Sequence, residues 1–372
     1  MGVRKSSLEN LVGMDYTHLP SYYKGKKVFL TGHTGFKGSW MLSWLYLLGA
    51  EVKGYALAPQ TEMDLYHTIN GDNLCESVIA NILDAHRLKD ELLSFEPDFV
   101  FHLAAQPLVR LSYEIPSETF AVNSIGTAYL LDALRLLKKP CSVVLITTDK
   151  VYENKEWHYP YRENDRLGGY DPYSASKACA ELVISSYRNS FFNPDEYNTH
   201  QKSIASARAG NVIGGGDWAK DRIIPDIVRA LNNQEPVTVR NPAAVRPWQH
   251  VLEPLGGYLH LGTKMVDNPL QFANAWNFGP LPADNLTVEE LVNITLRLWT
   301  EGTYIKPSLF GQPHEAGLLK LDISKAINEL DWRPKYDASV AIEKTLLWYK
   351  SFSKNTSPKS LVTEQIQSFV NE

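Results

Sequence analysis

The sequence predicts an α/β chain: a parallel sheet doubly wound by helices, with a smaller, interleaved C-terminal α/β lobe. Three observations predict it. From Lys26 to about Arg208 short apolar runs alternate with helical stretches, the pattern of a parallel sheet covered on both faces. A glycine trio, Gly32, Gly35 and Gly38, joins the first apolar run to the first helix. Beyond Gly210 the order becomes irregular, yet no linker sets off an independent module.

Val28 to Leu30 reads as a buried strand and Trp40 to Leu48 as a largely apolar helix. Between them, the first glycine permits a tight turn, the second lets backbone approach a pyrophosphate, and the third lets the helix pack on the strand. The helix N-terminus then offers free N–H groups and the positive end of its dipole to an anion. This is a dinucleotide-binding element, spaced G-x-x-G-x-x-G rather than G-x-G-x-x-G. Val52 to Leu57 supplies the second strand. No acidic residue ends it to accept ribose hydroxyls, so this strand does not choose between NAD and NADP.

Pro59 to Asn73 reads as loop. Val78 to Asp84 is a third strand running into a helix that Asp84 caps. Asp98 to Ala105 is the fourth strand, Pro116 to Leu137 a long helix, and Ser142 to Thr147 the fifth strand. Pro172 to Ser190 is a second long helix with proline in its first turn, and Ser203 to Arg208 the sixth strand. Helices at Ile223–Leu231, Pro254–Met265 and Val288–Trp299 and a strand at Val237–Val239 follow. Residues 1–25 read as an N-terminal extension over the surface and 26–208 as the nucleotide-binding domain, to which later segments return. Residues 209–352 form mainly a substrate lobe, and 353–372 a polar, frayed tail.

A net charge of −5 argues against a dedicated nucleic-acid binder, which is normally basic. The cysteines Cys75, Cys141 and Cys179 lie far apart, without the paired spacing of a disulfide framework or zinc site. They suit a reducing cytoplasm. No run approaches the roughly 18 apolar residues that span a bilayer. The N-terminus lacks a signal-peptide core, and its match to the permissive myristoylation pattern at Met1–Ser6 is read as coincidence.

The strongest chemical signal is Tyr173-Ser174-Ala175-Ser176-Lys177 at a helix start. Residues four apart share a helical face, and an ammonium beside a phenol favours phenolate, lowering its pKa toward neutrality. Such a tyrosine takes a hydroxyl proton while hydride leaves the same carbon. At the end of the fifth strand, where clefts open in this architecture, stand Thr148, Asp149 and Lys150: a hydroxyl, an acid and an amine.

Gly32-x-x-Gly35-x-x-Gly38, His102-Leu103-Ala104-Ala105, Asn123 before Gly126-Thr127, Thr148-Asp149 and Tyr173-x-x-x-Lys177 together resemble the extended short-chain dehydrogenase/reductase superfamily, over residues 26 to 350. The implied architecture is Rossmann-type. Gly32–Trp40, Gln106–Arg110, Thr148–Tyr152 and Arg246–Val251 further resemble the CDP-glucose 4,6-dehydratase family. Related dTDP-glucose enzymes carry Asp-Glu where this chain has Asp149-Lys150, and epimerases usually carry small or apolar residues there.

The resemblance implies a redox-neutral elimination on a nucleotide sugar with NAD as cofactor, in deoxysugar and O-antigen biosynthesis. Tyr173 would take the 4-hydroxyl proton, helped by Lys177 and Thr148. Lys150 would be the base at C5, and protonated Asp149 the acid for the departing 6-hydroxyl. Those demands are consistent only if the Asp149–Lys150 pair titrates as a unit. Cofactor contacts are expected from Gly32, His33, Thr34, Gly35, Phe36, Lys37 and Gly38. Further contacts are expected from Asn81, Ile82, Leu103, Ala104, Ala105, Gln106, Asn123, Tyr173 and Lys177. His33 reads equally as a cofactor contact or a solvent-facing turn residue. Substrate contacts are expected from Gln106, Arg110, Asn211, Arg222 and Arg246, and no metal is called for. His250 and the indoles of Trp218 and Trp248 read as packing residues. A homodimer or homotetramer is expected from relatives that pair through the helices at 116–137 and 173–190. Two other classes stay open: a nucleotide-sugar epimerase or decarboxylase, which needs no acid at the 6-hydroxyl, and a non-catalytic dinucleotide-sensing scaffold, which needs no Tyr173.

Overall fold

Alternation of apolar side chains along each strand sets two buried faces, and the chain builds one sheet between them. The structure, a computed structural model, describes residues 14–281, 284–306 and 317–372. Its strands are β1 (Lys27–Thr31), β2 (Glu51–Ala56), β3 (Glu76–Ile79), β4 (Phe99–His102), β5 (Cys141–Ile146), β6 (Lys202–Ala209) and β7 (Ala275–Phe278). They lie in the order β7-β6-β5-β4-β1-β2-β3, and every pairing is parallel. Strand order reverses between β1 and β4, so a crevice opens beyond their C-terminal ends. Every residue of β4, β5 and β6 is buried, as strands covered on both faces require.

Phe29, Val143 and Ile204 join one core with Leu88, Leu134 and Ile184 of the covering helices. Their strand neighbours Val28, Leu30, Val144 and Ala205 face the opposite core, with Trp40, Trp44 and Leu259. Asp84 caps the helix Ala85–Phe95 by accepting from Arg87 N, and Asp171 caps Pro172–Ser190 by accepting from Ser174 N. The long helix expected from Pro116 is broken by a π turn, Ala121–Ile125, between Pro116–Phe120 and Gly126–Leu136. Such turns re-aim a side chain within a helix, here Asn123. β7 was not foreseen: its Ala-Trp-Asn-Phe run is only four residues long and is interrupted by a polar residue.

Three segments depart from the sequence reading. Residues 14–25 are not a surface extension, since Tyr16, Leu19 and Tyr23 are buried and Tyr23 donates to Leu259 O at 2.7 Å; residues 1–13, with the Met1–Ser6 pattern, lie outside the described residues. The stretch 59–73 contains a short helix, Leu65–Thr68, that buries Leu65 and Tyr66. The polar tail is the helix Pro358–Asn371, and it buries Leu361, Val362, Ile366 and Phe369. Phe369 meets Tyr16, Tyr336 and Trp44 at ring separations of 5.3, 5.1 and 5.8 Å. Four apolar residues on one helical stripe are enough to seat it, although its polar majority hides them in composition. Phe369→Ala is therefore expected to cost about 3–5 kcal/mol of stability, read as a lower denaturation midpoint in urea. A frayed tail would give no shift.

No helix among the described residues is long and apolar enough to cross a membrane. They hold no cluster of three or more His, Cys, Asp or Glu side chains able to bind a metal.

Candidate active site

The glycine turn follows β1 directly. Gly32 has φ +75°, and a Cβ there would stand 2.7 Å from Ala104 N. At Gly38 a Cβ would meet Gly32 O at 1.9 Å. Bare α-carbons are thus obligatory at both positions, and the helix Phe36–Leu47 starts with its N-terminal amides open to the turn. Thr34 Oγ1 pins the turn to Leu57 O at 2.8 Å. A cradle that any side chain would fill, facing a helix N-terminus, fits a dinucleotide pyrophosphate. His33 is not solvent-facing: it is fully buried, its Nε2 is 2.8 Å from Ser77 Oγ, and its ring lies edge-on to Tyr66. Burial lowers its pKa to about 4, so the ring is neutral. Gly54 makes room for it, because a Cβ there would stand 2.4 Å from His33 Cγ.

Beyond the ends of β1, β4, β5 and β6 lies a cavity of about 620 Å³. Thr148, Asp149, Lys150, Tyr173 and Lys177 all line it, as do Phe36, Lys37, Leu103 and Ala105. Arg110, Asn211, Arg222 and Arg246 line it too, so the expected chemistry and the expected phosphate grip share one space. Other expected contacts lie elsewhere. Gln106 Nε2 donates to Leu108 O and Thr119 Oγ1, and its Oε1 accepts from Leu108 N, so its amide shapes its own loop. Asn123 joins Gln106 N and O to Ser176 Oγ, tying that loop to the Tyr173 helix. Asn81 Oδ1 accepts from Leu83 N, and Ile82 packs against Gly126, away from the reactive groups. Trp248 lines the cavity, whereas Trp218 packs on Tyr349 and Phe352 and His250 on Trp40 and Tyr336.

The family model for GDP-mannose 4,6 dehydratase matches residues 29–274. The chain belongs to that family, within the extended short-chain dehydrogenase/reductase superfamily. It is 49% identical to CDP-glucose 4,6-dehydratase of Salmonella typhimurium, over 89% of this chain and 92% of that one. It is 29% identical to dTDP-glucose 4,6-dehydratase of Streptomyces antibioticus, over 87% and 92% of the two chains. A dTDP-glucose 4,6-dehydratase from Streptomyces venezuelae, solved with NAD and TYD bound, superposes with a TM-score of 0.72 at 23% identity. That likeness covers 90% of this chain and 99% of the other, and it confirms the predicted Rossmann-type fold.

In this family member burial dominates the electrostatics of the site. The Tyr173 phenol is not lowered toward neutrality; burial pushes it up to about 12, with Asp149's charge adding and a Thr148 hydrogen bond opposing. Lys177 is brought down to about 8 by burial, against the charge of Glu181, and its Nζ donates to Ile146 O at 3.2 Å. Helical spacing foretells the neighbours but not the loss of water around them. Asp149 is 1% exposed, and burial raises its pKa against the opposing charges of Lys150 and Arg246. Thr148 Oγ1 donates to Asp149 Oδ1 at 2.9 Å, while Oδ2 has no partner among the described residues. Gly210 keeps that space open, since a Cβ there would stand 3.0 Å from Oδ2. Thr148 thus links the Tyr173 phenol, which keeps its own proton, to the Asp149 carboxyl. Lys150 is half-buried at the cavity wall.

Sequence reasoning missed several participants. Tyr258 stands 3.0 Å from Lys37 Nζ, and burial, with Lys177 and Arg222 nearby, takes that amine down to about 7. Asp217 pairs with Arg222 at 2.8 Å and Asp221 with Arg110 at 3.6 Å. The close spacing of Asp217 and Arg222 could have signalled that pair, although such spacing is common on any surface; Asp221 and Arg110 are brought together only by the fold.

Proposed function

We propose that this chain is a CDP-glucose 4,6-dehydratase, an NAD-dependent hydro-lyase converting CDP-glucose to CDP-4-keto-6-deoxyglucose and water. The observation that carries the reading is the convergence of Tyr173, Asp149 and Lys150 on one cavity, in a chain 49% identical to the Salmonella enzyme. Bound NAD supplies the acceptor for the C4 hydride and returns that hydride to C6. Tyr173 takes the 4-hydroxyl proton, and Lys177 supports the resulting phenolate. The 4-ketone acidifies the C5 hydrogen, which Lys150 removes and gives back to C5 as the hydride reaches C6. Asp149 gives its proton to the 6-hydroxyl, which departs as water. Arg222 and Arg246 hold the diphosphate through charge-assisted hydrogen bonds, with Arg110 and Asn211 beside them.

The test is direct. Incubated with NAD⁺ and each of CDP-, dTDP-, UDP- and GDP-glucose, the protein is expected to remove one water from the CDP-sugar, read by mass. A mass-neutral isomer as the sole product would overturn the reading in favour of an epimerase. We further propose a cytoplasmic homodimer or homotetramer. Exposed Ile125, Leu136, Leu182 and Phe191, on the helical stretch ending at Leu136 and on or just beyond Pro172–Ser190, support an apolar contact between copies.

A further inference from the structure

Beneath the reactive turn lies a buried ion pair that the reaction as described leaves unused. Glu181 stands one helical turn after Lys177, and Arg208 lies near the end of β6; their side chains are 2% and 4% exposed and 2.8 Å apart. Glu181 Oε1 accepts from Thr147 Oγ1 at 2.5 Å, and Oε2 accepts from Ser206 Oγ at 2.9 Å. Arg208 Nη1 donates to Tyr152 Oη at 2.8 Å and to Glu163 O at 2.9 Å, and Tyr152 donates onward to Asn277 Oδ1 at 2.7 Å. Thr147 and Tyr152 bracket the turn Thr148-Asp149-Lys150-Val151. One ion pair therefore holds both ends of the segment that carries the acid and the amine, and it grows from the helix that carries Tyr173 and Lys177.

We infer that Glu181, through its pair with Arg208, is a positioning residue that sets the reactive turn against the Tyr173 helix and keeps Lys177 charged. The inference rests on the dehydratase reading above. Burying two charges is costly unless each is paired and hydrogen-bonded, and this pair binds four further groups instead of being replaced by apolar packing. Burial alone would raise the Glu181 carboxyl, but Arg208 and the two hydroxyls hold it below the ordinary carboxylate range. It is thus a fixed negative charge four residues from Lys177. The other titratable groups around Lys177 are Lys37 beside the glycine turn and His102 on β4, displaced by burial toward their neutral forms, to about 7 and about 3, and Tyr173 and Asp149 on the same cavity wall, whose acid forms burial favours. None of them is a fixed counter-charge.

The test uses the full-length protein with NAD⁺ and CDP-glucose, and two readouts. Glu181→Gln is expected to lower kcat by about 10²-fold, the scale of a reactive group displaced by about 1 Å, with KM changed less than threefold. Competitive acylation of Lys177 across pH, quantified on its peptide by mass, is expected to place its titration about one unit lower than in the wild type. Thr147→Val keeps the charge and removes one brace, so it is expected to lower kcat and leave the Lys177 titration in place. A merely structural role would shift melting without separating these two effects. Should Glu181→Gln not fold because Arg208 is stranded, Glu181→Gln with Arg208→Gln removes both charges together and carries the same test. An unshifted Lys177 titration with near-normal kcat overturns the inference. Wild-type protein that releases no water overturns the dehydratase reading instead, and the acylation readout still decides the electrostatic part.

Discussion

Asp149→Asn is expected to stop water loss, lowering kcat by about 10²- to 10⁴-fold, the usual weight of a positioned acid. Asparagine keeps the shape and the acceptor facing Thr148 but has no proton to give. In the wild type that proton is held by burial: the carboxyl is 1% exposed, its pKa is raised, and Oδ2 meets no donor among the described residues. The sign of the pH dependence follows. The acid form is the working form, so activity falls as pH rises through the raised pKa. Lys150→Ala is expected to abolish water loss as well, yet the two variants separate in deuterium oxide. With Lys150 intact, Asp149→Asn still exchanges the C5 hydrogen of CDP-glucose for deuterium; Lys150→Ala does not. Exchange persisting in Lys150→Ala would move the base elsewhere, and near-normal turnover in Asp149→Asn would move the acid.

That the acid and amine line one cavity was legible in the sequence, because strand ends in a parallel sheet face a common crevice and β5 ends just ahead of Thr148. The glycine turn was readable for the same reason: its flanking strand and helix announce themselves by their periods. Gln106 and Asn123 were less legible. Resemblance assigns both to ligand contact, but each side chain is spent on backbone and hydroxyl partners that bind the loop after β4 to the Tyr173 helix. The π turn that aims Asn123 leaves no mark in the sequence. His33 shows the same limit. A bulky polar residue in a glycine turn reads as solvated, and only the missing side chain of Gly54, on the neighbouring strand, makes a buried place for it. What pairs across distant segments is hidden from local pattern. The seat of Phe369 on Tyr16 and the Arg208–Tyr152 contact are of this kind.

Tyr173→Phe is expected to lower kcat by about 10²- to 10⁴-fold while CDP-glucose still binds, as titration calorimetry would report. The phenol lies in the same cavity as Asp149 and Lys150, and its pKa of about 12 leaves it protonated at neutral pH. A group so placed is a strong base once its proton has gone, so the cations around it decide when it acts. Arg222 lowers the phenol's pKa, and Lys177, lowered to about 8, lines the same wall. The lysine is charged below about 8, so its support is complete there and is lost as pH rises past that value. The wild type should therefore lose activity on the alkaline side near pH 8, and Lys177→Arg, charged throughout, should lose that limb even if its maximum is lower. A Tyr173→Phe protein turning over within tenfold of wild type would remove the phenol from the chemistry. The base for the 4-hydroxyl would then have to be another of the groups that line the cavity.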